Sequence, residues 1–344
     1  MQIPSIPSIG DAALAARLDH LIDDKTKPRG SLGVLERLAR QIGLIQRSER
    51  PAVRQPAIVV CAGDHGVTAE GISAYPQSVT WQMVENFLAG GAAINVFARQ
   101  HDCALHIVDA GVNHQFGPRA GLTDRKVAPG TANFCVQPAM SRAQCEQAMQ
   151  HGMDLVASLQ GNVLGFGEMG IGNTTAAAAL MAAFTGIAVR DCVGAGTGLD
   201  AQGIEHKRVV IERALQLHRD ATDPLARLAA LGGFEIAFIA GAMLGAAAQR
   251  RVLVIDGFIV TSAVLVASAL QPALLDYCVF SHCSDEAGHR RMLDHLGARA
   301  LMQLELRLGE GTGSALALPL LRSATAFLAE MATFSSASVS QRHD

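Results

Sequence analysis

Two glutamates stand inside glycine-rich stretches, each placed to act as a base or a counter-charge. Glu168 lies in Gly165-Phe166-Gly167-Glu168-Met169-Gly170-Ile171-Gly172-Asn173-Thr174-Thr175, and Glu310 in Leu308-Gly309-Glu310-Gly311-Thr312-Gly313-Ser314. Glycines lack a Cβ, so backbone or ligand can approach closely. Around Glu310 they let a carboxylate project into a cavity. Apolar Leu306 and Leu308 would lift its pKa toward that of a useful general base. An exposed loop carboxylate is the plainer alternative.

The first stretch runs into an alanine-rich helix expected over residues 174–184, with Asn173, Thr174 and Thr175 at its start. Free N–H groups and the positive end of the helix dipole suit an anion such as a phosphate. A carboxylate inside the same loop would repel one. The loop is therefore expected to hold an anion and also something that needs a base or a counter-charge. Residues 165–170 fit G-x-G-x-x-G, with Asp191 about 20 residues on, as a dinucleotide fingerprint asks. One match among 34 glycines is weak. The fingerprint also normally opens the first βαβ unit, and two strand signals come earlier here.

Other chemistry-bearing residues have plain alternatives. Lys207 would pair with a phosphate, with a solvated helix face as the plainer alternative, and the same holds for Asp64 and His65. Tyr75, Met83 and Phe87 would line a flat apolar pocket or simply fill the core. Ser281, His282 and Asp285 are neighbours in sequence, which is not triad geometry. No G-x-S-x-G, Walker A or H-E-x-x-H sequence is present.

The elements that must position these residues follow a repeating pattern. Short apolar runs at 57–62, 105–108, 162–166, 189–193, 252–255 and 277–280 each end in Gly, Asp, His or Ser. Helical segments alternate with them at 79–88, 92–100, 142–159, 203–217, 234–248 and 285–295. This predicts an α/β fold with a parallel sheet covered on both faces. Ligands bind such sheets beyond the carboxyl ends of the strands, where the polar and glycine residues fall. Two amphipathic helices, at 12–24 and 34–46, precede the first strand. Residues 119–138 read as surface loop, 314–331 as a last helix and 333–344 as a loose polar tail.

Composition narrows the function. The chain has 344 residues, 49% of them hydrophobic and 17% charged, so a large core forms. Aromatics are only 4%, which calls for helices packed closely on small residues. A net charge of −3 without a basic run argues against nucleic acid. Seven cysteines without C-x-x-C spacing fit thiols in a reducing cytoplasm, and neither a leader nor a metal site is expected. Residues 257–275 carry no charge, but Pro272 and the flanking Asp256 and Asp276 favour a buried helix over a membrane span.

Taken together, several motifs resemble the nicotinate-nucleotide–dimethylbenzimidazole phosphoribosyltransferase family. They are Lys27-Pro28-Arg29-Gly30-Ser31-Leu32-Gly33, Gly63-Asp64-His65-Gly66-Val67, the stretch around Glu168, Gly232-Gly233-Phe234-Glu235, Asp256-Gly257-Phe258 and the stretch around Glu310. The resemblance implies a three-layer, Rossmann-like parallel sheet of about six strands. It implies a small helical domain from both chain ends, with residues 1–50 and 314–344 flanking a core at 51–313, and a homodimer. It implies transfer of the ribose phosphate of nicotinate mononucleotide to a benzimidazole nitrogen, without metal or organic cofactor. Glu310 matches the family's base, and Glu168 would stabilise the cationic ribose or hold a hydroxyl. The turn Gly170, Gly172, Asn173, Thr174 and Thr175 would bind ribose and phosphate with Lys207, Asp256, Gly257, Ser281 and Ser284. Tyr75, Gln82, Met83, Met169 and Leu308 would surround the base. Tyr75 stands where some members carry a small polar residue, and Met83 where some carry Gln. Gln82 is adjacent but points elsewhere on a helix. That leaves the preferred base open among benzimidazoles, adenine and phenolic acceptors. Rival functions are a nicotinamide-dependent oxidoreductase and a non-catalytic base-binding protein.

Overall fold

The computed structural model describes residues 1–196 and 198–340, so Thr197 and the last four residues of the expected tail lie outside the described residues. Helices α1 (Ala12–Asp23) and α2 (Val34–Gln46) come first. Asp11 caps α1 by accepting the Leu14 N–H at 2.9 Å, and its Leu14, Leu18 and Ile22 stripe is buried. Then follow β1 (Ala57–Gly63), α3 (Val79–Ala89), α4 (Ala93–Gln100), β2 (Ala104–Gly111), β3 (Leu122–Asp124), α5 (Arg142–Ser158), β4 (Val163–Met169) and α6 (Asn173–Thr185). The second half holds α7 (Ala201–Leu217), α8 (Pro224–Leu231), α9 (Phe234–Ala248), β5 (Val252–Ile255), α10 (Phe258–Leu270), β6 (Cys278–Phe280), α11 (His289–His295) and α12 (Thr312–Glu330).

All six strands pair in parallel, in the order β3-β2-β1-β4-β5-β6. The order reverses between β1 and β4, and a crevice opens beyond the carboxyl ends of strands at such a point. Strand β1 is buried throughout because its two faces serve different helices. Ile58, Val60 and Ala62 pack with Val84 and Phe87 of α3 and Ile94 of α4. Ala57, Val59 and Cys61 belong to the larger cluster that holds α5, α9 and α10. Period-2 alternation thus splits one apolar run between two layers.

The sheet has the expected number of strands but not the expected set. Residues 189–193 form a 3-10 turn at Val189–Asp191, with Arg190 exposed. The charged Arg190-Asp191 pair breaks the run that a doubly covered strand needs. Its place is taken by β3, inside the stretch read as loop, where Leu122 pairs with Ile107. An edge strand of three residues, Leu-Thr-Asp, carries no apolar run to detect. Helix α8, also unforeseen, starts with Asp223 as cap and Pro224 at its first turn. Helix α11 starts at His289, later than expected, because residues 281–288 form a loop instead, which buries Ser281, His282, Ser284 and Glu286. Helix α10 is buried and ends at Leu270, and no described helix is long and apolar enough to cross a membrane.

The chain ends meet. Lys25 bridges Thr333, its Nζ donates to the Met331 carbonyl at 2.8 Å, and the Phe334 N–H donates to Asp24 at 3.0 Å. Helix α12 runs back across the sheet and brings the residues just before it over β4. A Cβ at Gly167 would fall onto the backbone of Glu310 and Gly311. Gly167→Ala should therefore cost about 1–3 kcal/mol, the usual effect of overpacking. Thermal unfolding tests this, and an unchanged midpoint would show that the Glu310 turn can shift freely.

Candidate active site

Past the carboxyl ends of β4, β5 and β6 lies a cavity of about 500 Å³. Strand β4 delivers Glu168 and Met169 to it, and the turn into α6 adds Gly170, Ile171, Asn173 and Thr174. Asp256 and Gly257 follow β5, and His282, Ser284 and Glu286 follow β6. Tyr75 and Met83 come from around the start of α3, and Arg307, Leu308, Gly309 and Glu310 from the loop before α12. The two glutamate stretches, distant in sequence, therefore share one cavity.

Glu168 belongs to a strand rather than to a loop, and so do Gly165 and Gly167. Only residues 170–172 turn. The two strand glycines make room for Ser314 and the Glu310 backbone, not for a pyrophosphate. That removes the dinucleotide fingerprint and the oxidoreductase reading built on it.

Four carboxylates line this small space, all at least nine-tenths buried: Glu168, Asp256, Glu286 and Glu310. Burial, then the charges of Asp256, Glu235 and Glu310, push Glu168 up to about 8, so it holds its proton at neutral pH. The Asn173 side-chain amide donates to it closely. Burial also raises Asp256, to about 7, against backbone N–H donors that include Gly311 at 3.1 Å, Gly313 at 2.8 Å and Ser314 at 3.2 Å, with Gly257 beside them. Glu310 is raised by burial and opposed by the Ile94 N–H of α4, 3.3 Å from Oε2. Its backbone is left-handed, φ 61°, between Gly309 at 84° and Gly311 at 85°. For a non-glycine this conformation costs roughly 1–2 kcal/mol.

On the anion side, the Ile171 N–H donates to Thr80 Oγ1 at 3.1 Å, and the Asn173 and Thr175 N–H groups bond back to Gly170 and Gly172. The Thr174 N–H carries no such bond among the described residues. Lys207 is buried, not on a solvated face, and its Nζ donates to Thr174 Oγ1 at 2.7 Å. Burial pulls its pKa down to about 8 in spite of Glu286. A phosphate beside Thr174 would thus meet a helix start and a desolvated cation.

Some expected site residues stand elsewhere. Gln82 is exposed and outside the cavity, because one residue on a helix turns a side chain by about 100°. Gly172 is the left-handed start of α6, packed on His65 and Thr68. Thr175 and Ser281 are fully buried behind the wall, with Ser281 Oγ 3.1 Å from His282 Nδ1. Phe87 is core. Asp285 is exposed, so no Ser-His-Asp triad assembles.

Asp64 and His65 are not solvated either. His65 Nε2 lies 2.7 Å from Glu235 Oε1, both fully buried, directly behind Gly170 and Gly172. Asp64 accepts the Asn113 N–H at 2.8 Å. Residue types alone did not mark His282 as part of the wall or Glu235 as the partner of His65. The Gly-Asp-His-Gly and Gly-Gly-Phe-Glu motifs were the available signal.

A family model described as phosphoribosyltransferase matches residues 8–339. The chain is 64% identical over 342 residues to a nicotinate-nucleotide–dimethylbenzimidazole phosphoribosyltransferase of Janthinobacterium sp. (strain Marseille), covering 98% of this chain and 99% of that one. It is 59% identical over 343 residues to the protein of the same name from Cupriavidus necator, covering 99% of each. The crystal structure of CobT from Thermus thermophilus aligns with a TM-score of 0.93 at 45% identity, over 96% of this chain and 100% of that one. The family model and the relatives match nearly the whole chain, and the chain belongs to the nicotinate-nucleotide–dimethylbenzimidazole phosphoribosyltransferase family.

Proposed function

We propose that this chain transfers the 5-phosphoribosyl group of nicotinate mononucleotide to 5,6-dimethylbenzimidazole or a related base, in assembly of the cobalamin nucleotide loop. The observation that carries this reading is the placement of Glu310. A buried carboxylate on a fixed turn faces a cavity that also takes in the start of α6, where Thr174 lines it and the buried Lys207 stands behind Thr174.

The pyridinium of nicotinate mononucleotide is already a cationic leaving group, so its glycosidic bond breaks without acid help. The bond's electron pair returns to the pyridine nitrogen and frees nicotinate. The benzimidazole nitrogen attacks C1′ from the opposite ribose face, which converts a β bond into an α bond. Glu310 takes the proton from the other ring nitrogen. Glu168, neutral in the free chain, donates to a ribose hydroxyl. Lys207, the Thr174 N–H and Ser284 hold the 5′-phosphate, while Tyr75, Met83, Met169 and Leu308 flank the flat base. The reaction balances without a metal or organic cofactor.

A cytoplasmic homodimer belongs to the same proposal, and Val136 and Leu304 offer exposed apolar surface for it. The test is a product assay in which nicotinate mononucleotide is mixed with a panel of bases and products are identified by mass. A ribosylated base 5′-phosphate with stoichiometric nicotinate is expected. Binding of both substrates without product from any base would leave a base-binding protein instead.

A further inference from the structure

We infer that Asp256 is a positioning residue, which holds the Glu310 turn in place through the N-terminus of α12, and not a ligand of ribose or phosphate. This rests on Glu310 acting as the base.

Glu310 sits between two glycines in a run of three left-handed residues. The turn closes on itself, with Thr312 N–H and Oγ1 both donating to the Gly309 carbonyl at 3.0 and 2.8 Å. Closure fixes the shape of the turn but not its place over the sheet. Asp256, at the end of β5, supplies the anchor: Oδ2 accepts from Gly311 and Oδ1 from Gly313 and Ser314. Ser314 Oγ adds a bond to the Val254 carbonyl of β5 at 3.0 Å. The Ile94 N–H then catches the Glu310 carboxylate from the other side. A carboxylate that already accepts three backbone N–H groups of its own chain has little capacity left for a substrate hydroxyl. In its ionised form, the charge set against the first N–H groups of a long helix strengthens that anchor.

Activity against pH tests this, because a loosened turn exposes Glu310 to water and lets its burial-raised pKa fall. The other titratable groups facing the cavity are Tyr75, Glu168, Asp256, His282, Glu286 and Arg307. Asp256→Asn also removes a charge from this set, so Gly313→Ala is needed beside it. A Cβ at Gly313 would meet the His282 ring and stand 2.7 Å from Asp256 Oδ1, displacing the N–H while the carboxylate stays. Circular dichroism gives the folded fraction of each variant.

Both variants are expected to lose at least roughly tenfold in kcat, since small misplacements of a reacting group are costly. Both KM values should stay within about threefold, as for an interaction made only in the transition state. The acid limb of kcat should move to lower pH in both. A raised KM for nicotinate mononucleotide with kcat kept would make Asp256 a substrate ligand and overturn the inference. So would an acid limb that moves only in Asp256→Asn, or in neither variant. If Glu310→Gln is inactive while these two variants behave as wild type, only the positioning role falls. If Glu310→Gln keeps its turnover, the base reading falls and takes this inference with it.

Discussion

Glu310→Gln should lower kcat by about 10²–10⁴-fold, the usual contribution of a positioned base, while the flat base still binds. Glutamine keeps the size of the side chain and an oxygen to accept the Ile94 N–H, but it cannot take the benzimidazole proton. The loss therefore falls on kcat and spares KM. In the wild type, burial holds Glu310 above the ordinary carboxylate range. Only the ionised form is a base, so turnover declines as pH falls through that raised pKa. The mutant should lack this acid limb. Glu168→Gln is the informative comparison, because glutamine resembles the protonated state that Glu168 has at neutral pH. It should be hurt less than Glu310→Gln. Steady-state kinetics with both substrates varied decides the matter. If Glu168→Gln were the more damaged variant, the two glutamates would exchange roles.

Lys207→Met should raise KM for nicotinate mononucleotide by roughly 10–100-fold. This follows from about 1.5–3 kcal/mol for a hydrogen bond to a charged group and 1.4 kcal/mol per tenfold in binding. Methionine preserves most of the buried stem, so packing changes little. Burial lowers the lysine pKa to about 8, so the cation that meets the phosphate is present below that pH and lost above it. Wild-type affinity for nicotinate mononucleotide should thus weaken as pH rises through about 8, and the mutant should not show that limb. Calorimetric titration from neutral to alkaline pH measures both. An unchanged wild-type affinity across that range would move the phosphate away from Lys207. Arginine is a poor substitute here, because its planar fork does not fit a site built around one point charge beside Thr174.

Much of this was legible in the residues. The α/β class and five of the six strands follow from apolar runs that end in Gly, Asp or His, because a strand covered on both faces must be apolar throughout. Helix α2 was read with its boundaries intact, since its Leu38, Ile42 and Ile45 stripe has the period of a helix. Glu168 and Glu310 stood out because glycines on either side of a charge are unusual unless something approaches closely.

Local pattern could not supply the rest. Strand β3 exists because β2 offers an edge, and residues 189–193 fail as a strand because two charges interrupt them. Lys207 and His65 looked like surface residues, and burial is a property of what packs over them. The sequence by itself determined which carboxylates, glycines and apolar periods are available, since those are set by residue type and spacing. Only the tertiary structure decided that Glu168 and Glu310 share a cavity, and that Gly165 and Gly167 admit the Ser314 side chain and the Glu310 backbone instead of a nucleotide. It also decided that Asp256 accepts the Gly311, Gly313 and Ser314 N–H groups at the start of α12. Each of these is a contact between segments far apart in the chain, and the parallel crossovers of the sheet, not any local propensity, bring them together.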